Sequence, residues 1–283
     1  MKEQLDEYLR LSILTYRRLA KEEGPLDRLQ TREFREIISQ MKTLDFKTLD
    51  PLSPYLLYYN FVRLQEGLSL LGEIGTPINS VLDIGSGFGA FTLAALMKGA
   101  KNCLMLDHND KALTIGSDLI GRMGYPVKSQ KWSYPSPLPK DKFDLVILGH
   151  SLFLMEENPY RLVEKAINRL SATGYLLIVE SSQEEVNRDF LFLRDEIVRA
   201  GNAIHAPCIW RGPCPALEAK APCYAQREFY KPHLIGEIQR ALKINQSSLK
   251  MSYLIVNRAG WPTSDELPDY RVISPPLEGH QGK

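Results

Sequence analysis

Residues Val81 to Thr92, Val-Leu-Asp-Ile-Gly-Ser-Gly-Phe-Gly-Ala-Phe-Thr, constrain this chain more than any other stretch. They predict a short strand, a glycine turn and the start of a helix. Gly85 and Gly87 let the backbone bend sharply and come close to a ligand without a Cβ in the way, while Gly89 lets the helix pack near the strand. A helix beginning there aims unpaired N–H groups and the positive end of its dipole at whatever the turn holds, which favours an anion by roughly 0.3–1 kcal/mol before hydrogen bonds are added. The next apolar run closes in Leu104-Met105-Leu106-Asp107-His108, which puts a carboxylate where a ribose presents its hydroxyls.

Around this motif, short apolar runs alternate with helical stretches, the signature of βαβ units in a parallel sheet. Strands are expected at Ser80 to Ile84, Asn102 to Leu106, Val127 to Lys131, Phe143 to Leu148, Tyr175 to Glu180, Asn202 to Ala206 and Met251 to Asn257. The predicted fold class is therefore α/β, a Rossmann-like sheet of seven strands. A terminal strand pair fits a methyltransferase sheet better than a six-strand dehydrogenase one. Ahead of the sheet, Leu5, Leu9, Ile13, Tyr16 and Leu19 recur at helical spacing in a leader that runs to about Arg35, where Gly24-Pro25 is the break. A second helix is expected from Pro54 to Leu71, and its aromatic stripe is read as core rather than as a base-stacking face. This divides the chain into a helical region, 1–76, and a methyltransferase domain, 77–283, with a cysteine-rich metal-binding insert at about 203–250.

Composition narrows the classes without choosing a function. With 44% hydrophobic and 24% charged residues, 283 residues suffice for an α/β domain and a smaller neighbour, so disordered and fibrous classes are excluded. A formal net charge of +1 leaves any nucleic-acid contact to local patches. No apolar run reaches the roughly 20 residues of a membrane span, and the polar start fits neither a signal nor a transit peptide, so no membrane contact and a cytoplasmic location are expected.

The D-x-G-x-G-x-G form lacks the glycine gap of the dinucleotide type and points to S-adenosylmethionine. On that reading Asp83, Gly85, Gly87 and Gly89 form the turn, with Asp83 orienting it and engaging the cofactor's ammonium, directly or through water. Asp107 holds the ribose beside His108, and Trp132 and Ser133 flank the adenine, although Trp132 fits the core equally well. The end of the fourth strand, Gly149-His150-Ser151-Leu152, faces the substrate. It lacks the Asn/Asp-Pro-Pro-aromatic element of enzymes that methylate base amines. His150 and Glu180 are candidate bases, each also explained as a structural residue, so the sequence assigns no catalytic residue.

Three of the four cysteines, Cys208, Cys214 and Cys223, fall in one proline-rich segment. In a reducing compartment that clustering favours metal ligands over disulfides, and ligation would hold a loop-like insert in shape. Between Ala203 and Lys250, Arg211, Lys220, Arg227, Lys231, Arg240, Lys243 and Lys250 outnumber Glu218, Glu228 and Glu237, which is compatible with RNA or with a solvated face.

Ala206-Pro207-Cys208 followed by Cys214-Pro215, then Cys223-Tyr224-Ala225-Gln226-Arg227, Lys250 to Arg258 and Arg271-Val272-Ile273 together resemble the methyltransferase-like assembly factors of the small ribosomal subunit, found in mitochondria and with bacterial relatives. The resemblance covers most of Tyr55 to Ile273. It implies a [4Fe–4S] cluster and action on small-subunit ribosomal RNA or in assembly of the subunit. The family's fourth cysteine follows the Arg-Val strand and has no counterpart here. The resemblance therefore leaves that ligand missing, the chain cut short of it, or a zinc site completed by His205, His233 or His280, with Cys103 read as core. The functions weighed are a ribosomal RNA methyltransferase, a non-catalytic assembly factor that binds RNA through its metal-stabilised insert, and a small-molecule methyltransferase.

Overall fold

The structure is a computed structural model, which describes residues 1–21, 31–41, 55–155 and 158–261. The leader is two helices, α1 (Lys2–Ala20) and α2 (Thr31–Met41), one on each side of the expected break in the sequence. α1 buries Leu5, Tyr8, Leu9, Ile13 and Tyr16 on one face and stops before Gly24-Pro25, at Lys21 in the left-handed region. A fully buried ion pair, Arg17 to Glu33 at 2.7 Å, ties α1 to α2.

The expected second helix begins with a π-helical turn, Tyr55–Tyr59, continues as α3 (Asn60–Leu70) and ends in a 3₁₀ turn, Leu71–Glu73. Pro54 lies outside the described residues. The aromatic stripe is core, as read: Tyr58 and Phe61 are buried, and Tyr58 meets Tyr59 edge-on at 5.2 Å.

The sheet follows, with β1 (Ser80–Ile84), α4 (Ala90–Met97), β2 (Asn102–Asp107), α5 (Asp110–Arg122), β3 (Lys128–Lys131), β4 (Phe143–Gly149), α6 (Leu152–Met155), α7 (Pro159–Ile167), β5 (Leu170–Ser181), α8 (Glu184–Arg199) and β6 (Ala203–Ala206). Then come α9 (Pro215–Glu218), β7 (Ala225–Arg227), α10 (His233–Leu242) and β8 (Leu249–Asn257). The strand order is β3-β2-β1-β4-β5-β8-β6, with β7 paired to β8. β1 to β5 are parallel, and β8 runs antiparallel to β5, β6 and β7. All seven expected strands are present. β7 is an eighth that three residues without alternation could not announce. β5 is longer than expected, and β3 is a wholly polar edge whose lysines discourage further pairing.

Side-chain alternation sorts the strands into two cores. Val81, Leu145, Ile147, Leu177, Val179 and Ile255 face the layer of α1, α3, α4, α5 and α10, while Leu82, Ile84, Val146, Leu148, Ile178 and Val256 face α7 and α8. The order reverses between β1 and β4, and ligands of open α/β sheets sit at the carboxyl ends of such neighbours.

Candidate functional site

The turn between β1 and α4 lies at that switch point. Gly85, Gly87 and Gly89 all take positive φ, +72°, +53° and +76°. The Gly85 and Ser86 N–H groups donate to Leu106 O on β2, at 2.8 and 3.0 Å. Gly85 owes its place to packing rather than to a ligand's approach: a Cβ there would lie 2.1 Å from Met155 Cε and 2.6 Å from Ser151 Cβ. Gly89 is placed as the sequence suggests, because a Cβ would meet Met105 Sδ on β2 at 2.4 Å.

Asp107, 3% exposed, closes the far wall. Its Oδ2 accepts the Gly87 N–H and its Oδ1 the Asn109 N–H, both at 2.8 Å. These bonds fix the carboxylate against the turn and leave lone pairs on both oxygens for further donors. His108 is largely exposed, with Nδ1 3.2 Å from Asp107 Oδ1. Ser86 Oγ is buried in the turn with no hydrogen-bond partner. An orphaned hydroxyl beside a fixed carboxylate at a switch point fits a polar ligand bearing hydroxyls, as an adenosyl group does.

Two residues of the expected cofactor set also make contacts within the protein. Asp83 is 1% exposed, and its Oδ2 accepts both the Thr92 N–H (3.1 Å) and the Thr92 Oγ1–H (2.7 Å), so it caps α4 from inside the sheet. The structure gives Trp132 to the core, where it is 6% exposed and its Nε1–H donates to Ser136 O and Pro137 O, both at 3.2 Å; Ser133 is exposed. Burial pushes the Asp83 carboxyl up to about 7, against the lowering effect of the Thr92 bonds. An unfolded chain loses this proton near 3.8 and the folded one holds it to about 7, so stability contributed by Asp83 falls as pH rises through that window. Thermal melts of Asp83→Asn should therefore show a Tm advantage over wild type that grows from about pH 4 to about pH 7; an advantage independent of pH counts against this assignment.

At the ends of β4 and β5 the fold gathers charged groups that the sequence kept apart. His150 Nε2 lies 2.8 Å from Glu66 Oε2 on α3. Glu66 also receives two bonds from Arg63 Nη1, at 3.0 and 3.1 Å. Burial would raise the Glu66 carboxyl, but Arg63 and His150 together hold it below its ordinary value. Burial, then Arg63, pushes the His150 imidazole down to about 4. Glu180 Oε1 accepts the Leu152 N–H at 3.0 Å and so holds the start of α6; burial pushes its carboxyl up to about 7. Sequence reasoning missed Arg63 and Glu66, whose only local signal is i,i+3 spacing on a helix.

The cysteine segment is more structured than a loop. β7 pairs with β8, and α10 buries Ile235 and Ile238. α8 holds the segment from beneath. Arg194, 2% exposed, donates to Gly212 O at 2.6 Å and to Trp210 O; Asp195 accepts the Cys214 N–H, and Asn187 bonds both backbone groups of Cys223. Cys208, Cys214 and Cys223 are free thiols, and after burial the Cys214 and Cys208 charges raise the Cys223 thiol. Among the described residues, however, no group of three potential ligands is spaced to hold a metal ion. Cys103 is buried in the core, and burial pushes its thiol up to about 12. His205 bonds Glu73 O at 3.0 Å and His233 is exposed beside Glu237, while His280 and Arg271 to Ile273 lie outside the described residues. Of the basic set, Arg227 is spent on Glu73 at 2.6 Å. No helix of the described residues is long and apolar enough to cross a membrane.

The family model described as mitochondrial small ribosomal subunit Rsm22 matches residues 76–282, well over half of the chain. The chain belongs to this family. The match begins just before β1 and includes the glycine turn, Asp107 and all three clustered cysteines. Beyond the Rsm22 family, the chain is similar to a ribosomal protein L11 methyltransferase of Staphylococcus aureus, 29% identical over 104 residues. That alignment covers 36% of this chain and 31% of the relative, so the chain spans under a third of that protein's length. Among solved structures it is similar to a ribosomal protein L11 methylase from Lactobacillus delbrueckii subsp. bulgaricus, at TM-score 0.43 and 16% identity over 69% of this chain and 75% of that one. It is also similar to a methyltransferase from Pyrococcus furiosus, at TM-score 0.46 and 11% identity over 69% and 82%. The Rossmann-like methyltransferase fold assigned to this Rsm22-family chain rests on its own strand order.

Proposed function

We propose that this chain binds S-adenosylmethionine in the turn Gly85 to Gly89 and transfers its methyl group to an acceptor on the small ribosomal subunit or its RNA. The observation that carries the reading is the Asp107 carboxylate, fixed by the Gly87 N–H beside the orphaned Ser86 hydroxyl. Asp107 is assigned to the ribose hydroxyls, the glycine turn and the start of α4 to the methionine carboxylate, and His108 and Ser133 to the rim. The cofactor supplies an electrophilic methyl; the protein's part is to hold donor and acceptor in line and exclude water. The division into a helical region, 1–76, and a methyltransferase domain, 77–283, belongs to the same proposal.

Membership of the Rsm22 family supports the ribosomal partner. So do exposed aromatics in and beside the cysteine segment, Trp210 and Tyr224, because unpaired bases stack on such rings next to cations. Lys250 sits over Tyr224 at 5.7 Å. A non-catalytic assembly factor is the second reading, favoured by the absence of the amine-methylating tetrapeptide at Gly149 to Leu152. Labelled cofactor incubated with immature small-subunit particles tests the choice. Label in the particle is expected, and particle binding without label leaves the assembly factor.

The clustering of Cys208, Cys214 and Cys223 in one proline-rich segment, together with the family resemblance, supports a metal in the insert, a [4Fe–4S] cluster or zinc. A broad visible absorption band in anaerobically purified protein is expected for the cluster. Colourless protein with stoichiometric zinc selects the alternative.

A further inference from the structure

We infer that His150 and Glu66 form a base dyad beside the cofactor turn, in which Glu66 fixes the imidazole so that His150 Nδ1 takes the proton released by the methyl acceptor. The inference rests on the proposal that this turn holds S-adenosylmethionine, and it adds that the acceptor carries an N–H or O–H.

His150 directly follows β4 and takes φ +54°, in the left-handed region that is uncommon for residues other than glycine. Three contacts hold it. Its N–H donates to Val179 O at 2.8 Å, its Nε2 meets Glu66 Oε2 at 2.8 Å, and its ring lies 6.2 Å from that of Phe91 on α4. The next residue touches the turn itself: Ser151 Oγ donates to Ile84 O at 3.1 Å, and Ser151 Cβ crowds Gly85.

The charges around the ring fix its chemistry. Arg63 and Glu66 face it from α3, and Arg63 is in turn faced by Tyr55 from the π-helical turn and by Glu180 from β5. Arg63 keeps Glu66 ionised, and a carboxylate can only accept. Nε2 must then carry the proton of the neutral ring, which leaves the lone pair on Nδ1, an atom with no hydrogen-bond partner among the described residues. Glu66 is thus a positioning residue, and His150 the group that meets the acceptor.

The step balances in atoms and charge. The acceptor's lone pair forms the new bond to carbon, the electron pair of the breaking C–S bond stays on sulfur, and the acceptor's proton moves to Nδ1. A positive charge is lost at sulfur as one appears on the imidazole beside Glu66, so the site's net charge is unchanged. Burial disfavours a charged His150 in the resting site, and Glu66 offsets that cost at the moment of transfer.

Nitrogen NMR of the full chain labelled at histidine, with His150→Gln to assign the signal, tests the dyad without turnover. The expected spectrum has the proton on Nε2 and a ring that stays neutral to below about pH 5, from the depressed imidazole value of about 4. In the transfer assay, His150→Gln should lose about 10²–10⁴-fold in rate with cofactor affinity kept. Glu66→Gln, which keeps an acceptor but not the charge, should lose about 10–100-fold. A proton on Nδ1, wild-type transfer by His150→Gln, or wild-type protein that binds cofactor yet methylates nothing overturns the dyad. Failure of the cofactor proposal is distinct: wild-type protein would give no heat of association with S-adenosylmethionine, whatever the tautomer.

Discussion

Asp107→Ala is expected to raise the dissociation constant for S-adenosylmethionine by at least about 100-fold, because the carboxylate both holds the turn in its binding shape and is the proposed partner of the ribose hydroxyls. The carboxylate is buried and already holds the Gly87 and Asn109 N–H groups at 2.8 Å. Its removal leaves two donors of the turn without their acceptor, at about 1–3 kcal/mol each where water cannot reach them. On the proposed reading it also deletes the charged hydrogen bonds assigned to the ribose, worth about 1.5–3 kcal/mol each. Asp107→Asn separates the two contributions. The amide keeps one acceptor oxygen but turns an NH₂ toward one of the two backbone donors, so it should fall between wild type and Ala. Calorimetric titration with the cofactor and its demethylated product reads all three proteins. Affinity within about threefold of wild type in a folded Asp107→Ala protein would remove this carboxylate from the site.

Arg194→Met is expected to release the segment from Trp210 to Cys223 while leaving the sheet folded. Arg194 is 2% exposed and spends its guanidinium on Gly212 O, Trp210 O and Asp195. Hydrogen bonds from a charged donor contribute about 1.5–3 kcal/mol each, and methionine retains the apolar stem without any of them. Asp195 then loses its partner while still holding the Cys214 N–H, which loosens the cysteine turn further. Hydrogen exchange should show amides of this segment losing about 100-fold or more in protection, with those of β1, β4 and β5 unchanged. Chelator-treated wild-type protein serves as the comparison. If α8 sets the shape, protection persists without metal and is lost in Arg194→Met; the reverse pattern would return that role to a metal.

Periodicity and turn chemistry are properties of neighbours in the chain. For that reason the glycine turn, the seven strands and the carboxylate of Asp107 at the end of β2 were all legible in the sequence. So was the aromatic stripe on α3 as core, because apolar spacing alone decides which face a helix buries. The roles of charged side chains were not legible, since the partners that set them lie far away in sequence. Nothing beside Asp83 in the sequence announces that Thr92 returns to it across the first turn of α4. His150 looks like a lone histidine until α3 brings Glu66, 84 residues earlier, to within 2.8 Å. β7 is three residues with no pattern of their own, and only the edge of β8 makes them a strand. The anchors of the cysteine segment, Asn187, Arg194 and Asp195, sit on α8, so no pattern within the segment reveals them. Local sequence determined where this chain bends and which faces it buries, whereas tertiary packing decided which charges meet, because an ionic group's behaviour depends on what shares its low-dielectric surroundings.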